Sequence, residues 1–432
     1  MSEFLAADEV FNILQSGERL ENIMLSNLDL SGLNLPNSKF INVTFNHVNF
    51  SRADLRNSFF GSAVFNNVIM RDADFSNTNL SGAVFINSNC DRADFTGTIL
   101  SGAVFLPENF AEKDPAKVEI KIDDLQPTSI ERDIYKESNI IGFSKGRLSL
   151  LNTVFKGADL KGANFSSAEL DGALFENCQI INAEFENCSL KNSRFHKNLI
   201  KETLFDSCDL SASAFTGSDL EGTEFLSVNV DELTDFSESK FKEIKFINAE
   251  LSVLKKKVPD DLSNCEFNKC NLKGMNLSHH NFNSAEIIGS NLEQSSFEGS
   301  DLKDAKFKKC SLKGINLSGI DLSGADFSGA DLQEGKFTGC NLEGTDFSGA
   351  NLKRSNFNKS VLKNAIFSNS DLTDSDFSGT AIDYCELKGA LIDRINLENS
   401  KINNTDFEGV DFREVRIKNT SFILCSMKKV NF

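Results

Sequence analysis

The 432-residue chain has no tryptophan, two tyrosines (Tyr135 and Tyr384), five prolines and four histidines. An ordinary globular core mixes its aromatics, and this one cannot, because the third aromatic accounts for nearly all of them. Phenylalanine occurs 39 times. A single aromatic used so heavily implies one pocket shape repeated many times. No apolar run approaches the ~18 residues that a membrane-spanning helix needs. The N-terminus carries Glu3, Asp8 and Glu9 and no basic stretch, which argues against a secretory signal and for a cytoplasmic protein. Basic residues are outnumbered, and the formal charge is −18. A surface of that sign repels phosphates, which excludes direct nucleic-acid binding and leaves basic partners, and partners whose own ligand is DNA, open. At 40% hydrophobic residues the chain still has enough apolar side chains to bury a core.

What is present is a beat of five. Large apolar residues recur at Phe40, Phe45, Phe50, Leu55, Phe60, Phe65, Met70 and Phe75 and continue to Phe105. The beat resumes at Leu150 and runs to Val230. A one-residue slip sets Phe236, Phe241, Phe246 and Leu251, and a second slip sets Phe267 and the positions onward to Phe432. A period of five fits neither an α-helix nor a flat strand and demands a turn in every unit. Two residues before each large residue stands a small one, such as Ala53, Ala63, Ala73, Ala158 or Ala325. Each unit therefore sends one large and one small side chain inward, and the other three, rich in Asn, Asp, Ser, Lys, Glu and Gly, meet solvent.

In Ala158-Asp159-Leu160-Lys161-Gly162, Ala325-Asp326-Phe327-Ser328-Gly329, Ala330-Asp331-Leu332 and Ala350-Asn351-Leu352 the sequence resembles the pentapeptide-repeat family, over roughly four fifths of its length. The resemblance implies an all-β fold, a right-handed quadrilateral parallel β-helix with four repeats per coil. Stacked at ~4.8 Å, about seventy repeats would make seventeen or eighteen coils. The Phe/Leu alternation then places phenylalanine columns on opposite sides of the square.

The divisions read from the beat are a capping helix in 1–22, a first solenoid segment in 23–105, an insert in 106–149, a second segment in 150–251, a loop in 252–261 and a third segment in 262–432. In the first stretch Phe4, Ala7, Phe11 and Leu14 share a helical face and Gly17 can stop the helix. Within the insert, Thr128-Ser129-Ile130-Glu131 reads as a capping box, Val118–Ile122 alternates like a strand, and Ser138-Asn139-Ile140 is a candidate surviving repeat. The C-terminus has no helical cap. Phe432 is itself a core position, so a homodimer through the C-terminal coil is expected.

Nine of the ten cysteines fall in the small inward slot and Cys90 in the large one, so they read as buried thiols, neither disulfides nor metal ligands. His280 takes an inward small slot, and a local bulge is expected there. No nucleophile–base pair or phosphate loop stands out, so no enzyme, cofactor or metal is expected.

The informative deviations are apolar residues in outward slots. Val64, Val84 and Val104 recur at twenty-residue spacing ahead of core phenylalanines, and Ile86 and Leu106 extend them. Leu151, Val154 and Leu174 form a similar group after the insert, and Lys255, Lys256 and Lys257 mark the loop. Two origins fit the valine stripe: a surface covered by the chain's own insert, or a partner-binding patch. The functional expectation is a non-enzymatic protein–protein scaffold, one form of which is a bacterial effector delivered into a host cell. The alternative implied by the resemblance is a DNA mimic acting on DNA gyrase or topoisomerase IV, with Asp301 over Asp321 and Asp326 over Asp346 as stacked acids. Lysines 303, 308, 313, 353 and 363 interleave with those acids.

Overall fold

The structure is a computed structural model and describes residues 5–107, 148–254 and 258–431. The chain is nearly all parallel β, a β-solenoid of about 18 turns preceded by one short helix. It divides into two compact units, Met1–Arg194 and Phe195–Phe432. Each of the two obeys the same local rule.

That rule is a corner. Two residues after each core residue the backbone turns left-handed, as at Asn77 (φ +57°) and Gly324 (φ +71°). Asparagine and glycine bear this conformation at least cost, which explains their abundance outside the core. The turn closes when the small residue's N–H donates to the preceding core carbonyl: Ala53 to Phe50 at 2.9 Å, and Ala325 to Leu322 at 3.0 Å. Four corners complete a coil, so each residue meets its counterpart twenty positions on. Thr44 pairs with Val64 and Val64 with Val84, all parallel.

In the first unit Phe45, Phe65, Phe85, Phe105 and Phe165 stack up one side with centroids 4.5–5.0 Å apart. Phe75, Phe95, Phe155 and Phe175 stack up the opposite side at 4.8–5.3 Å. The two columns meet edge to face, as Phe165 meets Phe175 at 88°. In the second unit Phe307, Phe327, Phe347 and Phe367 form one such column, and Phe337, Phe357 and Phe377 form another. Leucine, methionine and isoleucine fill most of the two intervening sides of each unit, joined in the first by Phe40 stacked on Phe60, and by Phe50 and Cys90. Aromatic pairs of this kind add about 0.5–1.5 kcal/mol each beyond the area they bury.

The helix, α1, spans Ala7–Gln15, and the Glu9 carboxylate accepts the Ala6 N–H at 2.8 Å. Its buried residues are Val10 and Leu14. The inward stripe is thus centred one position from the face read in the sequence, and Phe4 lies outside the described residues. Gly17 takes φ +82° and ends the helix.

Past Pro107 the register changes by forty. Asn89 pairs with Ser149, Asp94 with Val154 and Ile99 with Asp159, sixty residues on instead of twenty. Leu106 still belongs to the strand Val104–Leu106, and Leu148 is already a buried coil residue. Asp91 ties the junction: it accepts the Ser149 hydroxyl at 2.5 Å and the Leu151 N–H at 3.2 Å. The capping box at Thr128, the strand at Val118–Ile122 and the repeat at Ser138 lie outside the described residues.

Two coils in the second unit are one residue longer, with Phe225 opposite Phe246 and Phe246 opposite Phe267. Here Leu254, Val258 and Met275 are among the residues that line a core void of about 20 Å³. Met275, bulky in a slot that is elsewhere small, takes up part of that space. Farther on, Ile315 and Ile320 also occupy small slots. Among the described residues, no bridge forms there between Ser296 and Asn316 or between Asp301 and Asp321.

Phe327→Ala should cost about 3–5 kcal/mol, read as a lowered urea midpoint. Lys313→Ala, on an outward residue, should leave the midpoint unchanged.

Candidate functional site

The small slot has a chemistry that the sequence did not disclose. Many of its Ser, Thr and Cys side chains donate to the carbonyl of a core residue 23 positions earlier, and others, such as Ser355 and Ser370, to the core carbonyl three positions earlier. Thr98 bonds Phe75 at 2.8 Å, Ser88 bonds Phe65 at 3.0 Å, Thr345 bonds Leu322 at 3.0 Å, and Cys188 bonds Phe165 at 2.7 Å. A slot that accepts Ala, Ser, Thr or Cys is thus a slot with an acceptor at its floor. All ten cysteines are free, and only Cys425 is not buried. Burial pushes the thiols up, to about 12 for Cys265, Cys310 and Cys385 and to about 11 for Cys178, Cys270 and Cys340. Such thiols are poor nucleophiles.

His280 occupies its small slot without a bulge, contrary to the sequence expectation. Its carbonyl accepts the Asp301 N–H at 3.1 Å, its N–H reaches the Ser300 hydroxyl at 3.3 Å, and its Nδ1 lies 2.9 Å from the Ser278 carbonyl. The ladder is kept on both sides of the ring, with Asn281 bridged to Asp261 and to Asp301. Among the described residues, no group of three or more His, Cys, Asp or Glu side chains could hold a metal ion. No helix among them is long and apolar enough to cross a membrane.

Val64, Val84 and Val104 stand in register along one side of the first unit, outside the Phe65–Phe85–Phe105 column. All three are half-buried. Ile86 pairs with Leu106, which is only 8% exposed. Thr44 and Asn66 border the stripe below and Asn164 borders it above. Val154 and Leu174 also pair, but outside the Phe155–Phe175 column, on the opposite side of the coil. The two apolar groups, alike in the sequence, do not form one surface. Leu151 is half-buried beside Asp91. Lys255, Lys256 and Lys257 lie outside the described residues.

Many outward charges pair between coils. Lys303 reaches Asp321 at 3.0 Å, Lys308 reaches Asp326 at 2.8 Å, Lys353 reaches Asp371 at 3.0 Å and Lys363 reaches Glu343 at 2.7 Å. Arg92 forks onto Asp72 and Arg394 onto Asp374. Lys201 and Lys242 both hold Glu221, and their hydrogen bonds lower its carboxyl to about 2. Of the acid pairs read in the sequence, Asp326 and Asp346 are in register, whereas Asp301 and Asp321 are not bridged. Each exposed ion pair contributes at most about 1 kcal/mol. Their larger effect is on the surface potential, because they cancel acids one by one.

Family profiles described as the pentapeptide repeat region match residues 128–205, 260–337 and 330–407, and one described as pentapeptide repeats in eight copies matches 23–61, 44–82 and 63–102. Together they cover more than half of the chain. The chain belongs to the pentapeptide repeat family.

No curated protein matches it. Among solved structures it is similar to a pentapeptide repeat protein of the Arabidopsis thaliana thylakoid lumen, at 25% identity and a TM-score of 0.19, over 22% of this chain and 63% of that one. The chain thus spans under two thirds of that relative's length. QnrB1, a plasmid-mediated fluoroquinolone resistance protein, matches at 18% identity and a TM-score of 0.22, over 56% of this chain and 90% of its own. HetL from Nostoc sp. strain PCC 7120, involved in heterocyst differentiation regulation, matches at 17% identity and a TM-score of 0.13, over 84% and 97%. These likenesses concern the repeat and carry no activity with them.

A thiol titration with Ellman's reagent at pH 8 should find no more than one reactive cysteine, Cys425, in the folded protein, and all ten after denaturation in guanidinium. Rapid reaction of several thiols in the native state would contradict the burial that raises their pKa values.

Proposed function

We propose that this pentapeptide repeat protein is a non-enzymatic scaffold that binds another protein through the Val64–Val84–Val104 side of its first unit. The observation behind this reading is the register of those three valines, joined by Ile86 and Leu106, in slots that the rest of the chain fills mainly with Asp, Asn, Glu and Lys. A half-buried apolar ladder beside polar neighbours is the usual composition of an interface core with a polar rim. Ten unpaired cysteines suit a reducing compartment such as the cytoplasm.

The DNA-mimic alternative has less behind it. A mimic needs uncompensated negative charge, whereas Lys303, Lys308 and Lys353 each neutralise an aspartate in the repeats that would supply it.

Val84→Glu should abolish capture of the partner in crosslinking pull-downs while shifting the unfolding midpoint by no more than about 0.5 kcal/mol. Val154→Glu, on the opposite side, should leave capture intact. A large loss of stability in Val84→Glu with capture unchanged would instead mark the stripe as internal packing.

The second part of the proposal is a homodimer through the C-terminal coil. Ile417 sits at a core position yet is 42% exposed, and Phe422 and Met427, also at core positions, are half-buried. A second copy covers these side chains and the strand edge beside them. Sedimentation equilibrium at micromolar protein should return twice the chain mass, and Ile417→Asp should return one. A monomeric wild type counts against the dimer.

A further inference from the structure

The second unit contains an open seam between consecutive coils. Lys240 pairs with Asp219 on the coil before it, and Asp261 pairs with Asn281 on the coil after it. Lys240 and Asp261 should be partners in turn, one long coil of 21 residues apart, as Phe225 and Phe246 are. Among the described residues they are not. No backbone hydrogen bond joins residues 237–243 to residues 258–264. Four strand groups are consequently left without a backbone partner among the described residues: the Ser239 C=O and the Phe241 N–H on one lip, and the N–H and C=O of Asp261 on the other.

Between the lips lies a cleft of about 790 Å³, lined by residues 237–243 and by 258–261, 263 and 264. That volume is within the 300–1,000 Å³ typical of built ligand sites. Its floor is apolar where Phe241 and Val258 also line the core void. Its lining is net acidic: Glu238, Glu243, Asp260 and Asp261 outnumber Lys240 and Lys242, and Lys242 is already held by Glu221.

We infer that this cleft binds a basic, extended polypeptide segment of a partner protein, which adds as a strand between the two coils. The unpaired strand groups supply the main-chain ladder, as in other cases of strand addition to an open edge. An alternating segment directs one set of side chains inward to Phe241 and Val258 and the other outward. Lysine or arginine in the outward set meets the rim carboxylates. The site lies in the second unit and shares no residue with the valine stripe, so either can fail without the other.

The test uses the full chain and a fluorescein-labelled seven-residue peptide alternating lysine and valine, read by anisotropy at low salt. Saturable binding is expected. It should weaken at least about tenfold for the same peptide N-methylated at its valine amides, which cannot donate to the ladder, and by a similar factor in Glu243→Lys/Asp261→Lys protein that keeps the wild-type circular dichroism spectrum. A peptide with glutamate in place of lysine should not bind, and Val84→Glu protein should bind like wild type. The inference is overturned by any of three results: no saturable binding, binding of the N-methylated peptide within about twofold of the parent, or full binding to the charge-reversed protein.

Discussion

Everything in this protein hangs on a backbone corner in the left-handed region once every five residues. The corner costs little at asparagine or glycine and about 1 kcal/mol or more elsewhere, and it turns the chain by a quarter of a coil. Four such corners return the chain to its starting side one strand spacing higher. Only then does a residue meet the equivalent residue of the next coil, Thr44 meeting Val64 and Val64 meeting Val84. The inward phenylalanines stack because the corners have already put them in line. The ladder bonds form for the same reason.

The stack divides labour between two inward positions. The large slot supplies the buried area, and the small slot governs how closely coils approach. Where the small slot holds Ser, Thr or Cys, most of the side chains reach a core carbonyl, as Thr98 and Cys188 do, while the buried Ser193 and Ser213 hydroxyls find none among the described residues. At Ile315 and Ile320 a bridge to the preceding coil is missing among the described residues, whereas Ile244 and Ile395 occupy the same slot with bridges on both sides.

Interruptions follow from the same geometry. The solenoid passes over the excursion after Pro107 by adding forty residues to its register, a whole number of coils, so the columns continue from Phe95 to Phe155. The one-residue extensions around Phe246 are not whole units. They leave a void in the core and a cleft on the surface of a scale that suits a polypeptide. Monotonous packing along the rest of the chain leaves specificity to the outward residues and to such faults.

The sequence by itself determined the repeat, the two inward slots, the alternation of Phe and Leu columns, the burial of the cysteines and the twenty-residue recurrence of Val64, Val84 and Val104. These are local or strictly periodic, and a five-residue beat is visible in one dimension. Only the tertiary structure decided which side of the coil each outward residue occupies after an interruption, because the beat reads the same whether an excursion spans whole coils or a fraction of one. Hence Val154 and Leu174, similar to the first stripe in composition, lie on the opposite side. The same holds for His280, whose ring fits without a bulge, and for the seam between Lys240 and Asp261. Whether two coils close or gape depends on how consecutive turns stack, a relation that no single unit of the sequence contains.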